Sequence, residues 1–232
     1  MEKKWLIETF GDLWYEHLKS YLESEHFYKL GTGLAHLRDR VTIYPSSDKV
    51  FRCFKETPFD KVKCVMYEQD PYYTEGFADG LCFSNSLSVG MAPSLKNLLI
   101  EVDNNYPEWV DRVDYGRLYR QDLQRWAKQG VLLANIALTV EKGNPTSHLA
   151  YWAKFTTAVI EALNTKNEII HVFFGKESQK FTKFVTNKTH TVLNITHPSA
   201  ETYNRGAGFF GSKVFRRIND ELSARNLKLV EF

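Results

Sequence analysis

The chain has 232 residues, of which 43% are hydrophobic and 25% charged, with a formal net charge of +2. Such a chain has enough residues for one good core, and no segment nears the roughly twenty apolar residues that a membrane span requires. The near-neutral balance permits a nucleic-acid partner without arguing for one, because dedicated DNA binders are usually more basic or visibly patched.

Three cysteines, Cys53, Cys64 and Cys82, are odd in number and lack metal-ligand spacing. They read as reduced core thiols in a reducing compartment. The opening MEKKWLIETF has no apolar targeting core, so the expected location is cytoplasmic, or nuclear in a eukaryote, with no membrane partner.

In chain order, Trp5, Leu6, Phe10, Leu13, Trp14, Leu18, Tyr21 and Leu22 recur at helical spacing and predict an amphipathic helix or helix pair near residues 4 to 30. Its aromatics read as packing rather than as a binding box. Val41 to Tyr44 runs into Pro45, and Val50, Phe51 and Phe54 give a short helical turn before Pro58. Val62, Cys64, Val65 and Met66 then form an apolar run of the kind that makes a strand buried on both faces, and it breaks at Gln69, Asp70 and Pro71. Pro71 keeps Asp70 out of the helical region, so a carboxylate is presented by a stiff turn at a strand's carboxyl end. By itself an Asp-Pro there is equally a plain β-turn.

Pro93 and Ser94 open a helix whose inner face is Leu95, Leu98, Leu99 and Val102; a hydroxyl and free amides at a helix start serve either as a cap or as a phosphate seat. Residues 117 to 130 predict a helix stopped by Gly130, and Val131 to Ala134 a buried strand ending at Asn135. Leu138 to His148 reads as a loop, and Tyr151 to Leu163 as a helix. Two further strands run from Ile169 to Phe174, ending at Gly175, and from Thr191 to Ile195, ending at His197-Pro198-Ser199. Strands alternating with helices predict an α/β fold, a single domain over residues 1–232 with a central parallel sheet flanked by helices. Asp70, Asn135, Gly175 and His197 then gather at the sheet edge where ligands bind in such folds. A carboxylate, an amide and an imidazole at parallel strand ends make a plausible active site, whereas their spacing suits neither a metal site nor a nucleophile elbow.

These residues carry a resemblance to a known family. QDPYY followed by GLCFS is similar to the water-activating segment of family 1 uracil-DNA glycosylases, whose usual form is GQDPYH and then GLCFS. VLLANIALTV resembles their LLLN-LTV strand, PSLKN their proline-rich loop, VFFGKESQK their Gly-Ser loop, and HPS with RGAGFFG their DNA-intercalating loop. Five motifs in the right order span nearly the whole chain.

The resemblance implies a uracil-DNA glycosylase-like domain, a monomer that needs no metal or cofactor, removes uracil from single- or double-stranded DNA and leaves an abasic site. It implies that Asp70 activates the attacking water and stabilises the cationic sugar, and that His197 hydrogen-bonds the uracil O2 as the base leaves. Gln69 with its backbone would read the uracil edge, Tyr72 would crowd C5 and exclude thymine, Phe83 would stack on the base, and Asn135 would read N3 and O4. Ser94 and Ser199 would grip phosphates flanking the site. The chain departs from the pattern at Glu68 for Gly, at Tyr73 for His, at Lys176 for the serine of the Gly-Ser loop, and at Ala200 and Glu201 for Pro and the intercalating Leu. Two extra residues also lie between Arg205 and Phe209. Lys176 could meet a phosphate directly, and the DNA-contacting set expected around the intercalating loop is Glu201, Tyr203 and Arg205. A function of another class stays open at this point: a non-catalytic protein that keeps the fold and captures DNA or a proteinaceous glycosylase inhibitor.

Overall fold

In the computed structural model, residues 2–85, 88–109, 121–204 and 206–232 are described. Three helices open the chain, α1 (Lys3–Phe10), α2 (Asp12–Leu22) and α3 (Glu25–Arg38), where the sequence pattern predicts one or two. The breaks have local causes. Gly11 takes a left-handed φ of 78°, and the Ser24 side chain accepts the Phe27 N–H as an N-cap. The apolar face runs through both breaks, so Phe10, Trp14, Leu18 and Leu22 are all buried, as expected of packing residues.

Four parallel strands form the centre: β2 (Cys64–Glu68), β3 (Val131–Asn135), β5 (Ile170–Phe174) and β6 (Thr191–Ile195), in the order β3-β2-β5-β6. Cys64 pairs with Val131 on one side and Ile170 on the other, and Ile170 with Thr191, so the four strands end together. β3 and β5 are buried throughout, which is why they read as unbroken apolar runs; β6 is an edge strand, and its Val192 and Asn194 are exposed.

A second, antiparallel pair joins β1 (Ile43–Tyr44) to β4 (Val140–Glu141), the latter inside the stretch from Leu138 to His148 expected to be loop alone. Two-residue strands carry no period that a sequence can display. The remaining α-helices among the described residues are α4 (Arg52–Glu56), α5 (Pro93–Asn105), α6 (Gln124–Lys128), α7 (Leu149–Leu163), α8 (Gly175–Gln179), α9 (Ala200–Tyr203) and α10 (Val214–Ala224). Of the helix predicted over 117 to 130, only α6 is helical among the described residues, and 117–120 lie outside them. α10 has no counterpart among the predicted elements, although Val214, Phe215, Ile218 and Leu222 recur at helical spacing and are buried.

The three cysteines lie in the core, and burial pushes the Cys53 and Cys64 thiols up to about 12. A polar strut braces the return from β2 toward α5. Asp79 accepts the Leu81 N–H at 3.1 Å and the Ser84 hydroxyl at 2.6 Å, and Arg52 closes an ion pair on it at 3.0 Å. Arg52 also reaches Asp122 at 3.1 Å, so one guanidinium ties α4 to the turn that carries Phe83 and to the residues before α6.

Candidate active site

β2 stops at Glu68 and the chain turns through Gln69, Asp70 and Pro71, as the Asp-Pro step requires. One carboxylate oxygen of Asp70, Oδ2, accepts from Gln69 Nε2 at 2.6 Å and from the Thr146 N–H at 2.9 Å. The other, Oδ1, is buried without a protein partner among the described residues. Burial raises the Asp70 carboxyl above its ordinary value, opposed by the Gln69 and Thr146 donors and by His148. Thr146 sits at φ 69°, a left-handed conformation that costs a β-branched residue energy, and so aims its amide at Asp70.

β6 delivers His197. The Ser199 backbone N–H donates to His197 Nδ1 at 3.1 Å, and the Ser199 hydroxyl lies 2.7 Å from the same nitrogen. An amide can only donate, so Nδ1 keeps its lone pair and the ring proton is on Nε2. That Nε2–H faces Glu68, whose Oε1 is 3.1 Å away. Gly175 makes the approach possible: its φ is 82°, and a Cβ there would meet the His197 Cβ at 3.2 Å.

Asn135 ends β3 in register with Glu68 and leaves a buried side-chain oxygen without a protein partner among the described residues. Phe83 is held at φ 61° with its ring edge-on to Phe174 at 5.0 Å and 5.7 Å from the His197 ring. The Tyr72 hydroxyl donates to the Phe83 carbonyl at 2.7 Å and lies 3.0 Å from Ser94 Oγ at the start of α5. A tyrosine anchored at its far end cannot swing aside, so it makes a rigid wall.

The cavity these elements enclose measures about 590 Å³ and is lined by Glu68, Gln69, Asp70, Tyr72, Ser94, Lys176, His197, Ser199 and Tyr203, among others. Behind it lies a recess of about 10 Å³, lined by Phe83 and Asn135 and sharing Glu68, Asp70 and Tyr72 with the cavity. The structure thus brings together the residues singled out at the strand ends. Lys176 is exposed on the rim and Tyr203 is 87% exposed. Ser94 and Ser199 line the cavity with their hydroxyls engaged by Tyr72 and His197.

One expectation is corrected. Glu201 does not point outward toward DNA; it is buried, and its carboxylate accepts the backbone N–H groups of Gly206, Phe209 and Phe210 at 2.9, 2.8 and 3.1 Å. The physical reason is that the longer loop folds its own amides around position 201, and a carboxylate answers several donors at once, as an apolar wedge residue cannot. Glu101 does the same for Gly211 and Lys213, so two buried carboxylates hold the loop from 206 to 213. Arg205 lies outside the described residues. The residue that sequence reasoning passed over is Thr146, whose contribution is a backbone amide and leaves no side-chain signature.

The residues from 54 to 223 match the family model of the uracil DNA glycosylase superfamily. A uracil-DNA glycosylase of Acinetobacter baumannii (strain SDF) is 38% identical over 222 residues, covering 94% of this chain and 90% of its own. A uracil-DNA glycosylase 1 of Listeria innocua is 36% identical over 215 residues, 92% and 93% of the two chains. Among solved structures, mimivirus uracil-DNA glycosylase superposes with a TM-score of 0.81 at 23% identity, over 98% of this chain and 91% of that one. A variant of the mimivirus UNG in complex with UGI gives 0.82 at 25% identity, over 99% and 90%. A match over most of the chain, together with relatives of this identity at nearly full length, leads to one conclusion: the chain belongs to the uracil-DNA glycosylase superfamily.

Proposed function

We propose that this cavity hydrolyses the N-glycosidic bond of uracil in DNA, releasing the base and leaving an abasic site, with Asp70 and His197 as the catalytic pair. The observation that carries the assignment is their meeting across one cavity at the ends of parallel strands, in a chain of this family. Breaking the bond makes the sugar cationic and the base anionic. A carboxylate on one side and a held N–H on the other lower that barrier, and both act more strongly where water is excluded. The unpartnered Asp70 Oδ1 supports a role in orienting the attacking water, and the unpartnered Asn135 oxygen supports reading of the base N3–H. The anchored Tyr72 supports exclusion of a C5 methyl, and buried Phe83 supports stacking on the base.

Extruding a base costs a few kcal/mol of unstacking, which a wedge and phosphate contacts offset. The correction at Glu201 leaves Tyr203 as the aromatic group positioned for the wedge, on the cavity rim and almost fully exposed. Lys176, exposed on the same cavity, supplies a cation for a phosphate, and the DNA-contacting role expected of Arg205 falls outside the described residues. The reading further takes the chain as a monomeric single domain of a reducing cytoplasmic or nuclear compartment, and as a candidate target for a protein inhibitor, as the mimivirus relative is for UGI.

The test is a uracil-containing oligonucleotide, single-stranded and duplex, followed by alkaline cleavage of abasic sites. Scission of both is expected, and none at high protein concentration would sink the enzyme reading in favour of a binding protein. Scission of thymine controls would remove the role given to Tyr72. Tyr203→Ala is expected to slow the duplex reaction at least tenfold more than the single-strand reaction, since only the duplex requires unstacking against a paired strand. Equal slowing of the two substrates would exclude Tyr203 as the wedge.

A further inference from the structure

Glu68 stands where the family pattern has glycine, and its side chain does not turn away from the site. It lines both the cavity and the recess behind it, and its Oε1 lies 3.1 Å from His197 Nε2. Since the Ser199 amide occupies Nδ1, this histidine has a single N–H to give, and Glu68 takes it. The function proposed above requires that N–H for the carbonyl of the base. Two acceptors therefore share one donor.

The recess strengthens the point. At about 10 Å³ it has room for about one water, whereas a pyrimidine edge must reach Asn135, which lines it. Burial, helped by the charge of Asp70, raises the Glu68 carboxyl above its ordinary value, and the hydrogen bond from His197 opposes that rise. A carboxylate in such surroundings gives up its donor at a substantial cost.

We propose that Glu68 is a positioning residue that competes with the base for the His197 Nε2–H, so that this chain holds free uracil weakly; the proposal rests on the function assigned above. A carboxylate is a stronger acceptor than the neutral carbonyl of a bound base, so Glu68 keeps the proton in the ground state. As negative charge builds on the departing base the two acceptors become alike, and the N–H passes to the base late, where it acts on the transition state. After release, the neutral base loses the contest again and leaves.

Binding of free uracil, followed by equilibrium dialysis with the pure base, tests this without turnover, so its failure is distinguishable from failure of the enzyme reading, which the oligonucleotide assay decides. Glu68→Ala is expected to bind uracil roughly tenfold to a hundredfold more tightly than the wild-type chain, the range spanned by one hydrogen bond to a charged group. Glu68→Gln keeps the shape and a weaker acceptor, guards against misfolding, and is expected to fall between. In a His197→Ala background both changes at position 68 should lose most of that tightening. Equal or weaker binding by both variants at position 68, or the same tightening without His197, would overturn the proposal.

Discussion

Replacing Asp70 with asparagine is expected to lower the single-turnover rate of uracil release roughly a hundredfold to a thousandfold, the usual cost of one preorganised electrostatic group aimed at developing charge. The substitution nearly preserves shape. The remaining amide oxygen can still accept from Thr146 and Gln69, which at present hold Oδ2 at 2.9 and 2.6 Å, so the turn at the end of β2 should keep its course. What disappears is a negative charge, buried on the cavity where the proposed reaction would develop a cationic sugar and where screening by water is weak. The loss should therefore fall on the chemical step. Affinity for uracil-containing DNA, measured by gel shift, is expected to change by less than about threefold. A large loss of affinity with an unchanged rate of release would move Asp70 from catalysis to binding.

The second large effect is on stability in acid, and it comes from outside the cavity. His171 on β5 is fully buried and part of a directed hydrogen-bond chain. His190 Nε2–H donates to the Lys166 carbonyl at 3.0 Å, His171 Nε2–H donates to His190 Nδ1 at 3.0 Å, and the Tyr67 hydroxyl donates to His171 Nδ1 at 3.1 Å. Every ring nitrogen is used with both imidazoles neutral. Burial, with His190 beside it, depresses His171 from 6.5 to about 3. The unfolded chain then binds a proton that the folded chain refuses. Stability from this group is fully present above pH 6.5 and falls by about 1.4 kcal/mol per pH unit on acidification toward pH 3, up to about 5 kcal/mol in all.

His190, also depressed, acts in the same direction. Glu68, Asp70 and Asp79, whose carboxyls burial raises, act in the opposite one, because they gain protons more readily when folded and so gain stability in acid. Comparison with His171→Phe separates these terms. Urea unfolding at pH 4, 5, 6 and 7 should show the wild-type chain losing about 1.4 kcal/mol more per unit than the variant below pH 6. Parallel pH profiles for the two proteins would show that His171 accepts its proton in the fold.

Much of the site is legible in the chain because buried parallel strands are largely continuous apolar runs, and the polar residues at or just beyond each strand's end mark where it leaves the core. Asp70 and Asn135 are found that way, as is His197, two residues beyond the end of β6. Cooperative spacing of the apolar face likewise locates α5 and α7. The first helices are less legible, since their apolar face continues through Gly11 and Ser24, and the breaks depend on one left-handed glycine and one cap.

Other features depend on contacts between residues far apart in the chain. The sequence by itself determined the α/β sheet, the single edge at which its strands end and the residue types gathered there, because those follow from local burial and turn chemistry. It could not show that Thr146 would turn an amide onto Asp70, 76 residues away, or that Glu201 would fold inward to hold Gly206, Phe209 and Phe210. Nor could it show that Glu68 and His197, 129 residues apart, would share one proton across the cavity. Those pairings were decided by the tertiary structure, because a hydrogen bond depends on direction and distance to within a few tenths of an ångström, and only the packed sheet sets both.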